Sequence, residues 1–265
     1  VLELPDHLSF TQYSTYTGCP RRYFLSRVRL APGKQAWYFL AGSAIHEGIE
    51  HYINTGDKAN PTWLLNKEVA SALKADSDMD NWLAGGPKDD PIIKGKALDL
   101  VKDCLENAYT FLEDFEVLPG SIELDVSGSL PGVNRPITAY IDALGVHKKH
   151  GPMIIDWKSS SSKPKDSFQL HTYHALLSSR DGYEEFNKGK FVMLRSGVSD
   201  PRPVDLNLSP EAVGALYATV EGKIDRRIWN AKSSFMCNFC EQKPNCSLMS
   251  GSNKWDTSED EGFPF

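Results

Sequence analysis

Two short apolar runs each end in an aspartate, and the second adds a lysine two residues later: Ala139-Tyr140-Ile141-Asp142 and Met153-Ile154-Ile155-Asp156-Trp157-Lys158. Such runs, bounded by Gly, Pro and Asn, are the mark of β-strands. In an extended strand alternate side chains share a face, so Asp156 and Lys158 point one way and Trp157 the other. If the two strands pair as a hairpin, two carboxylates and one ammonium converge at one end of a sheet. Hard oxygen ligands of that kind suit magnesium or manganese, and a phosphodiester needs such an ion to neutralise its charge and to activate water at neutral pH. A lysine alongside can orient the water or balance charge in the pentavalent transition state. Taken alone, Asp-x-Lys is equally a surface salt bridge at a strand end. Its company shifts the balance, because Gln169 and Tyr173 follow one helical turn apart just downstream.

The rest of the chain supplies a frame for that sheet. Ser9-Phe10-Thr11 offers caps for a short helix stopping near Gly18, and Pro20 suits the first turn of the next. A helix from about Phe39 to Thr55 contains His46, and residues 56–90 read as short helices and loops. Apolar residues then recur at helical spacing from Pro91 to Phe115, which makes Cys104 a buried core thiol and not a ligand. Strands are predicted over Ser121–Leu130, Ile137–Val146 and Met153–Trp157, followed by a helix over Phe168–Ser178. Two more strands, Lys190–Leu194 and Val204–Leu208, precede a long helix from Pro210 to about Trp229, capped by Ser209. Helices, a meander of strands, a helix, strands and a helix describe an α/β core inside a helical frame. One domain over 1–250 is expected, with segments 8–118 and 209–250 around a core at 119–208, and an acidic flexible tail at 251–265.

Charge and cysteines narrow the function classes. The net charge of −6 by itself speaks against a nucleic-acid partner. Its distribution does not: no acidic residue falls between His7 and His46, while Arg21, Arg22, Arg27, Arg29 and Lys34 all lie in that window. The acids gather in Asp76–Asp90 and Asp256–Glu261. Five cysteines, an odd number and mostly clustered, argue against a disulfide framework and for metal ligation. Cys237, Cys240 and Cys246 supply three soft ligands in a tight loop, and Cys19 remains for the fourth place. A tetrahedral zinc site satisfies that spacing as well as an iron–sulfur cluster does. No apolar run approaches membrane-spanning length and no signal pattern opens the sequence, so a cytoplasmic protein is expected.

In order, Ile141-Asp142, Ile154-Ile155-Asp156-Trp157-Lys158 and Gln169-Leu170-His171-Thr172-Tyr173 resemble the motifs of RecB-type nucleases of the PD-(D/E)XK superfamily. Gly42-Ser43-Ala44-Ile45-His46 resembles that family's Gly-x-x-x-His helix, and Cys19-Pro20 with the three later cysteines resembles the iron–sulfur staple of CRISPR-associated exonucleases and AddB. One departure is Ala139, where the family usually carries Gly.

The resemblance implies a restriction-endonuclease-like core sheet flanked by helices, with an iron–sulfur lobe joining the N- and C-terminal segments. It implies a metal-dependent DNA exonuclease in which His46, Asp142, Asp156 and the Trp157 backbone carbonyl hold magnesium or manganese. Glu123 has a further place near the metal, and Lys158 is catalytic. Gln169 and Tyr173 sit at the substrate phosphate or position Lys158. Cys19, Cys237, Cys240 and Cys246 would hold a structural [4Fe–4S] cluster. The segment Tyr16–Lys34, with Arg21, Arg22, Tyr23, Arg27 and Arg29, is then expected to form a wall for single-stranded DNA through phosphate contacts and stacking. No Gly-x-x-x-x-Gly-Lys-Ser/Thr run occurs, so a helicase partner would be a separate chain.

Two rivals stay open on sequence. One is a DNA-binding module that recruits recombination machinery, with incidental cleavage; the other is a zinc-stabilised RNA-processing nuclease. The run Ser258-Glu259-Asp260-Glu261-Gly262-Phe263-Pro264-Phe265 resembles the acidic tip of bacterial single-stranded-DNA-binding proteins, which implies docking on the receptors of that tip.

Overall fold

A computed structural model describes residues 2–33, 36–75, 91–197 and 202–250. Lys34, the acidic stretch Asp76–Asp90 and the tail at 251–265 lie outside the described residues.

The chain opens with a two-residue strand, β1 (Leu8–Ser9), and a helix, α1 (Phe10–Gly18), whose first turn is capped by the Ser9 side chain accepting from Gln12 N–H. A second short helix, α2 (Pro20–Tyr23), runs into a π-helical turn at Phe24–Val28. The long helix α3 (Trp37–Thr55) ends at Gly56, whose φ of 79° is the left-handed conformation that favours glycine after a helix.

Residues 61–75 form one helix, α4 (Pro61–Ala75), where short helices and loops were expected. Asn60 starts it by accepting from the N–H groups of Thr62 and Trp63, so an Asn-Pro pair that reads as a turn is here a cap with proline in the first turn. Helix α5 (Pro91–Leu112) stops three residues short of the expected Phe115. Phe115 instead begins β2 (Phe115–Asp125). Its burial continues the helical apolar spacing across the break, which is why periodicity alone misplaces the boundary.

β2 starts six residues before the expected Ser121 and ends at Asp125, five short of Leu130, because Leu118-Pro119-Gly120-Ser121 forms an irregularity within the strand and not a turn before it: pairing with β4 (Tyr140–His147) shifts between Val117 and Ile122. A short β3 (Ile137–Thr138) pairs with β1 in parallel, and Ala139 separates it from β4. Asp142 is therefore the third residue of β4 and not the end of a strand. That correction matters, since β4 runs antiparallel to β5 (Gly151–Lys158). Two aspartates that each ended their strand would sit at opposite ends of the hairpin. With Asp142 at the start of β4 and Asp156 near the end of β5, they meet.

Helix α6 (Phe168–Leu177) then carries the chain to β6 (Lys188–Met193), which lies parallel to β5, and β7 (Val204–Asp205) closes the five-stranded mixed sheet in the order β2-β4-β5-β6-β7. Helix α7 (Pro210–Asp225), capped by Ser209, follows, and is shorter than its apolar spacing predicts. The sheet is buried on both sides. Ile154 and Leu144 pack among α1, α6 and α7 residues such as Tyr16, Leu170 and Tyr217. Met153, Ile155 and Trp157 pack among Ile45, Leu105 and Phe111 of α3 and α5. Cys104 is fully buried in that second layer. This is a mixed α/β architecture with its sheet between helices.

Close packing at two glycines holds α3 and β2 against their neighbours. A Cβ at Gly48 would lie 2.7 Å from the Leu105 side chain, and one at Gly145 would lie 2.2 Å from the Glu116 carbonyl oxygen. The segments before α3 and after α7 also join. Tyr16 Oη donates to the Ile228 carbonyl at 2.7 Å, Trp229 stacks on Tyr23 and Phe24, and Arg22 pairs with Glu241 at 2.7 Å. Among the described residues no helix is long and apolar enough to cross a membrane.

Candidate active site

The start of β4, the end of β5 and the last residues of β2 come together under helix α3. Register places Glu123 beside Asp142, since Ile122 faces Ala143 and Leu124 faces Ile141. From α3, His46 Nδ1 approaches Glu123 Oε1 at 3.8 Å and Asp142 Oδ1 at 3.7 Å. Among the described residues, His46, Glu123 and Asp142 form a group whose donor atoms all lie within 4.8 Å of one another. Ligands of a single ion bonded at about 2.1 Å stand roughly 3–4 Å apart, so one imidazole and two carboxylates at this spacing fit a divalent ion with modest closure. Glu123 is held with φ at 46°, a left-handed backbone that costs a non-glycine residue about 1–2 kcal/mol. Strain of this kind collects at functional positions, and here it falls on the residue whose carboxylate turns toward His46.

The other half of the group is a hydrogen-bonded knot around Asp156. Lys158 Nζ meets Asp156 Oδ2 at 2.5 Å and donates to Gln169 Oε1 at 3.0 Å. Gln169 Nε2 lies 2.7 Å from both Asp156 Oδ1 and Tyr173 Oη, and Tyr173 Oη donates to Asp156 Oδ1 at 3.3 Å. Gln169 and Tyr173 reach this point together because they are one turn apart on α6. The structure thus draws Asp156 into the lysine's support and leaves it outside the group of three. The two halves touch through the backbone: Trp157 N–H donates to Asp142 Oδ2 at 2.6 Å, which brings the Trp157 peptide against Asp142.

The electrostatics follow from this crowding. Burial, and then repulsion from Asp156, push the Asp142 carboxyl up to about 7. Burial also raises Asp156, against the pull of Lys158. Burial opposes a charged His46, yet Glu123, Asp142 and Asp156 outweigh it and raise the imidazole above its ordinary value. Burial takes the Tyr173 phenol far above its usual range, so it acts as a neutral donor. Carboxyls held above their normal range by burial, and at Asp142 also by a neighbouring carboxylate, are groups a cation would relieve.

A cavity of about 750 Å³ opens over His46 and Glu123. Its wall includes residues that pattern reading passed over: Tyr38 and Phe39 on α3, the serines that follow Lys158, and Arg195. The signal available for them was the spacing of Phe39 two turns before His46 and the serine run directly after Lys158.

The four cysteines singled out in the sequence line one further cavity of about 510 Å³, together with Arg22, Tyr38 and Phe39. The backbone N–H of Lys232 approaches Cys19 Sγ at 3.4 Å, and that of Ser234 approaches Cys237 Sγ at 3.4 Å. Burial pushes the Cys240 thiol up to about 11, while Arg22 pulls it back.

The expected DNA wall is only partly available. Tyr23 is 0% exposed, with its hydroxyl donating to Gln12 Oε1 at 3.1 Å, so it belongs to the core and cannot stack on a base. Arg22 is paired with Glu241 and stands beside the cysteines. Arg21 and Arg29 both lie over the Phe24 ring at 5.4 Å, and Arg27 is exposed.

A family model described as the PD-(D/E)XK nuclease superfamily matches residues 7–247. The chain is also similar to the "Gene 69 protein" of Mycobacterium phage D29, with 23% identity over 262 residues covering 91% of this chain and 96% of that protein.

Proposed function

The chain belongs to the PD-(D/E)XK nuclease superfamily, and we propose that it is a metal-dependent DNA exonuclease of the RecB-like kind, with its cysteines holding a structural iron–sulfur cluster. The observation that carries the catalytic part is the meeting of His46, Glu123 and Asp142 within 4.8 Å beside a lysine already oriented by Asp156 and Gln169.

His46, Asp142 and Glu123 would hold magnesium or manganese, with Asp156 and the Trp157 carbonyl as the remaining ligands the family resemblance implies. The bound ion supplies Lewis acidity toward the phosphodiester. Lys158 is pointed by Asp156 and Gln169, ready to orient a water or meet negative charge as it builds on the phosphate. Gln169 and Tyr173 hold Asp156 and the ammonium in place and so act as positioning residues.

All four thiols line one cavity, which supports a shared metal site between the two segments; four cysteines are a ligand set for a [4Fe–4S] cluster and for zinc alike, and the cluster is favoured on the family resemblance. Its role would be that of a clasp between the segments before α3 and after α7. The acidic Phe-Pro-Phe run, a separate helicase or a recombinase would serve recruitment.

Digestion of end-labelled single- and double-stranded DNA and RNA with manganese and magnesium tests this reading. Stepwise shortening of DNA from an end is expected, at least as fast in manganese as in magnesium because an imidazole softens the ligand set. Cleavage confined to RNA, or cutting of closed circles as readily as of ends, would overturn it.

A further inference from the structure

We propose that Tyr38 and Phe39 form a shelf on which unpaired bases of the substrate stack beside the metal centre, so that the protein takes its DNA as a single strand. The proposal rests on the nuclease reading above.

Tyr38 is 47% exposed and Phe39 43% exposed, and their ring centroids lie 4.4 Å apart at a tilt of 56°. One exposed ring is ordinary on a protein surface; two in contact, at the mouth of a polar site, present a large apolar face to whatever enters. Both rings line the cavity that contains His46 and Glu123, and both also line the cysteine cavity. They therefore stand between the metal centre and the lobe that joins the terminal segments.

Phe39 and His46 are seven residues apart on α3, which is two turns, or about 10 Å, along one face. The floor between them is Gly42 and Ser43. A Cβ at Gly42 would meet only Ser159 Oγ, at 3.5 Å, so the glycine keeps that floor low without being forced by a clash. The same cavity carries the exposed guanidinium of Arg195 and the hydroxyl of Ser159, groups suited to phosphate.

Two exposed aromatic faces next to a guanidinium and a hydroxyl suited to phosphate fit a strand whose bases are free to leave their own stack. Bases inside a duplex are already stacked on each other, and only the terminal pair has a face left for a shelf, whereas every base of a single strand can present one. The selectivity for single strands would then come from the two rings, and the chemistry from the acids and Lys158.

The test uses an oligothymidylate and an abasic oligomer of equal length and charge, with binding read by fluorescence anisotropy in calcium and cleavage read in manganese. Wild-type protein should bind the base-bearing strand about tenfold or more tightly than the abasic one. Tyr38→Ala with Phe39→Ala should bind both strands alike, with its loss of cleavage falling on KM for the base-bearing strand. The exchange Tyr38→Phe with Phe39→Tyr keeps two rings and should keep the preference. Equal binding of the two strands by wild-type protein, or a preference that survives both alanines, would overturn the shelf. A base preference that the alanines abolish, in a protein that cleaves nothing, would leave the shelf standing and sink the nuclease reading.

Discussion

Asp142 and Asp156 show what the site asks of single residues. They are 8% and 2% exposed; burial raises the affinity of both carboxyls for a proton, and Asp156 adds to the effect on Asp142. The folded chain therefore binds protons that the unfolded chain would release. Without metal, stability should fall as pH rises from the ordinary carboxylate range through the raised value, which is about 7 for Asp142. Asp142→Asn keeps an acceptor for Trp157 N–H and removes the buried charge. In chelator at pH 8 it should be more stable than wild type by on the order of 2 kcal/mol, with the gap closing toward pH 4. Urea melts across that range measure it, and a gap that does not change with pH would refute the crowding. Adding manganese should reverse the order, since the variant gives up a charged ligand. These acids and Lys158 were legible because each sits on a patterned strand. Tyr23 misled because a tyrosine among arginines looks like a stacking residue, and only the packing of Trp229 over it reveals a core position.

Among the elements, the hairpin of β4 and β5 was readable from its turn residues and apolar runs, as was α1 from its Ser9 cap; α3 begins at Trp37, two residues before the expected Phe39, and Ala36 gives it no side-chain cap to read. Boundaries failed where two patterns overlapped. Phe115 satisfies the spacing of α5 and the alternation of β2 alike, and Pro119-Gly120 reads as the start of a strand when it interrupts one. The start of β4 at Tyr140 was invisible for a related reason, because Ile137 through Val146 alternates well enough to pass for one strand. What decides whether the aspartates meet is the register, in which Ala143 faces Ile155. The close approach of β2 to β4 should be sensitive to Gly145, where a Cβ would stand 2.2 Å from a carbonyl oxygen and 2.6 Å from the Phe115 ring. Gly145→Ala should cost about 1–3 kcal/mol or more in a denaturant melt. Since β2 carries Glu123, the variant should also weaken manganese binding. Wild-type stability and metal affinity in this variant would contradict the pairing of β2 with β4 as the source of the site.

For the molecule as a whole, the open question is what joins its terminal segments. Protein contacts already do so: Lys232 Nζ donates to the Thr17 carbonyl at 2.7 Å, and Asn245 Nδ2 donates to that of Pro32 at 2.7 Å. The cysteines would add a second tie. Protein purified without oxygen should be brown, and Cys19→Ala should lose the colour and several degrees of melting temperature. Cys104→Ala should keep the colour and show only the cost of a small core void, on the order of 1 kcal/mol. Colourless protein with stoichiometric zinc would decide for the tetrahedral site. The sequence order of the motifs made the superfamily legible across most of the chain, and the family model matches residues 7–247. The cavities between the motifs were not legible, because Tyr38, Arg195 and the serines after Lys158 become neighbours only once α3 packs across the sheet.

The most direct measurement is manganese-dependent cleavage of end-labelled single-stranded DNA by wild-type protein and by Lys158→Ala, side by side, with manganese binding followed by electron paramagnetic resonance. Wild-type protein should bind manganese and cleave. Lys158→Ala should fold, bind manganese and lose cleavage by at least about a hundredfold, the scale expected for removing one preorganised group that meets developing charge. Undiminished cleavage by a folded Lys158→Ala protein, or wild-type cleavage that does not depend on the metal, would contradict the proposed mechanism.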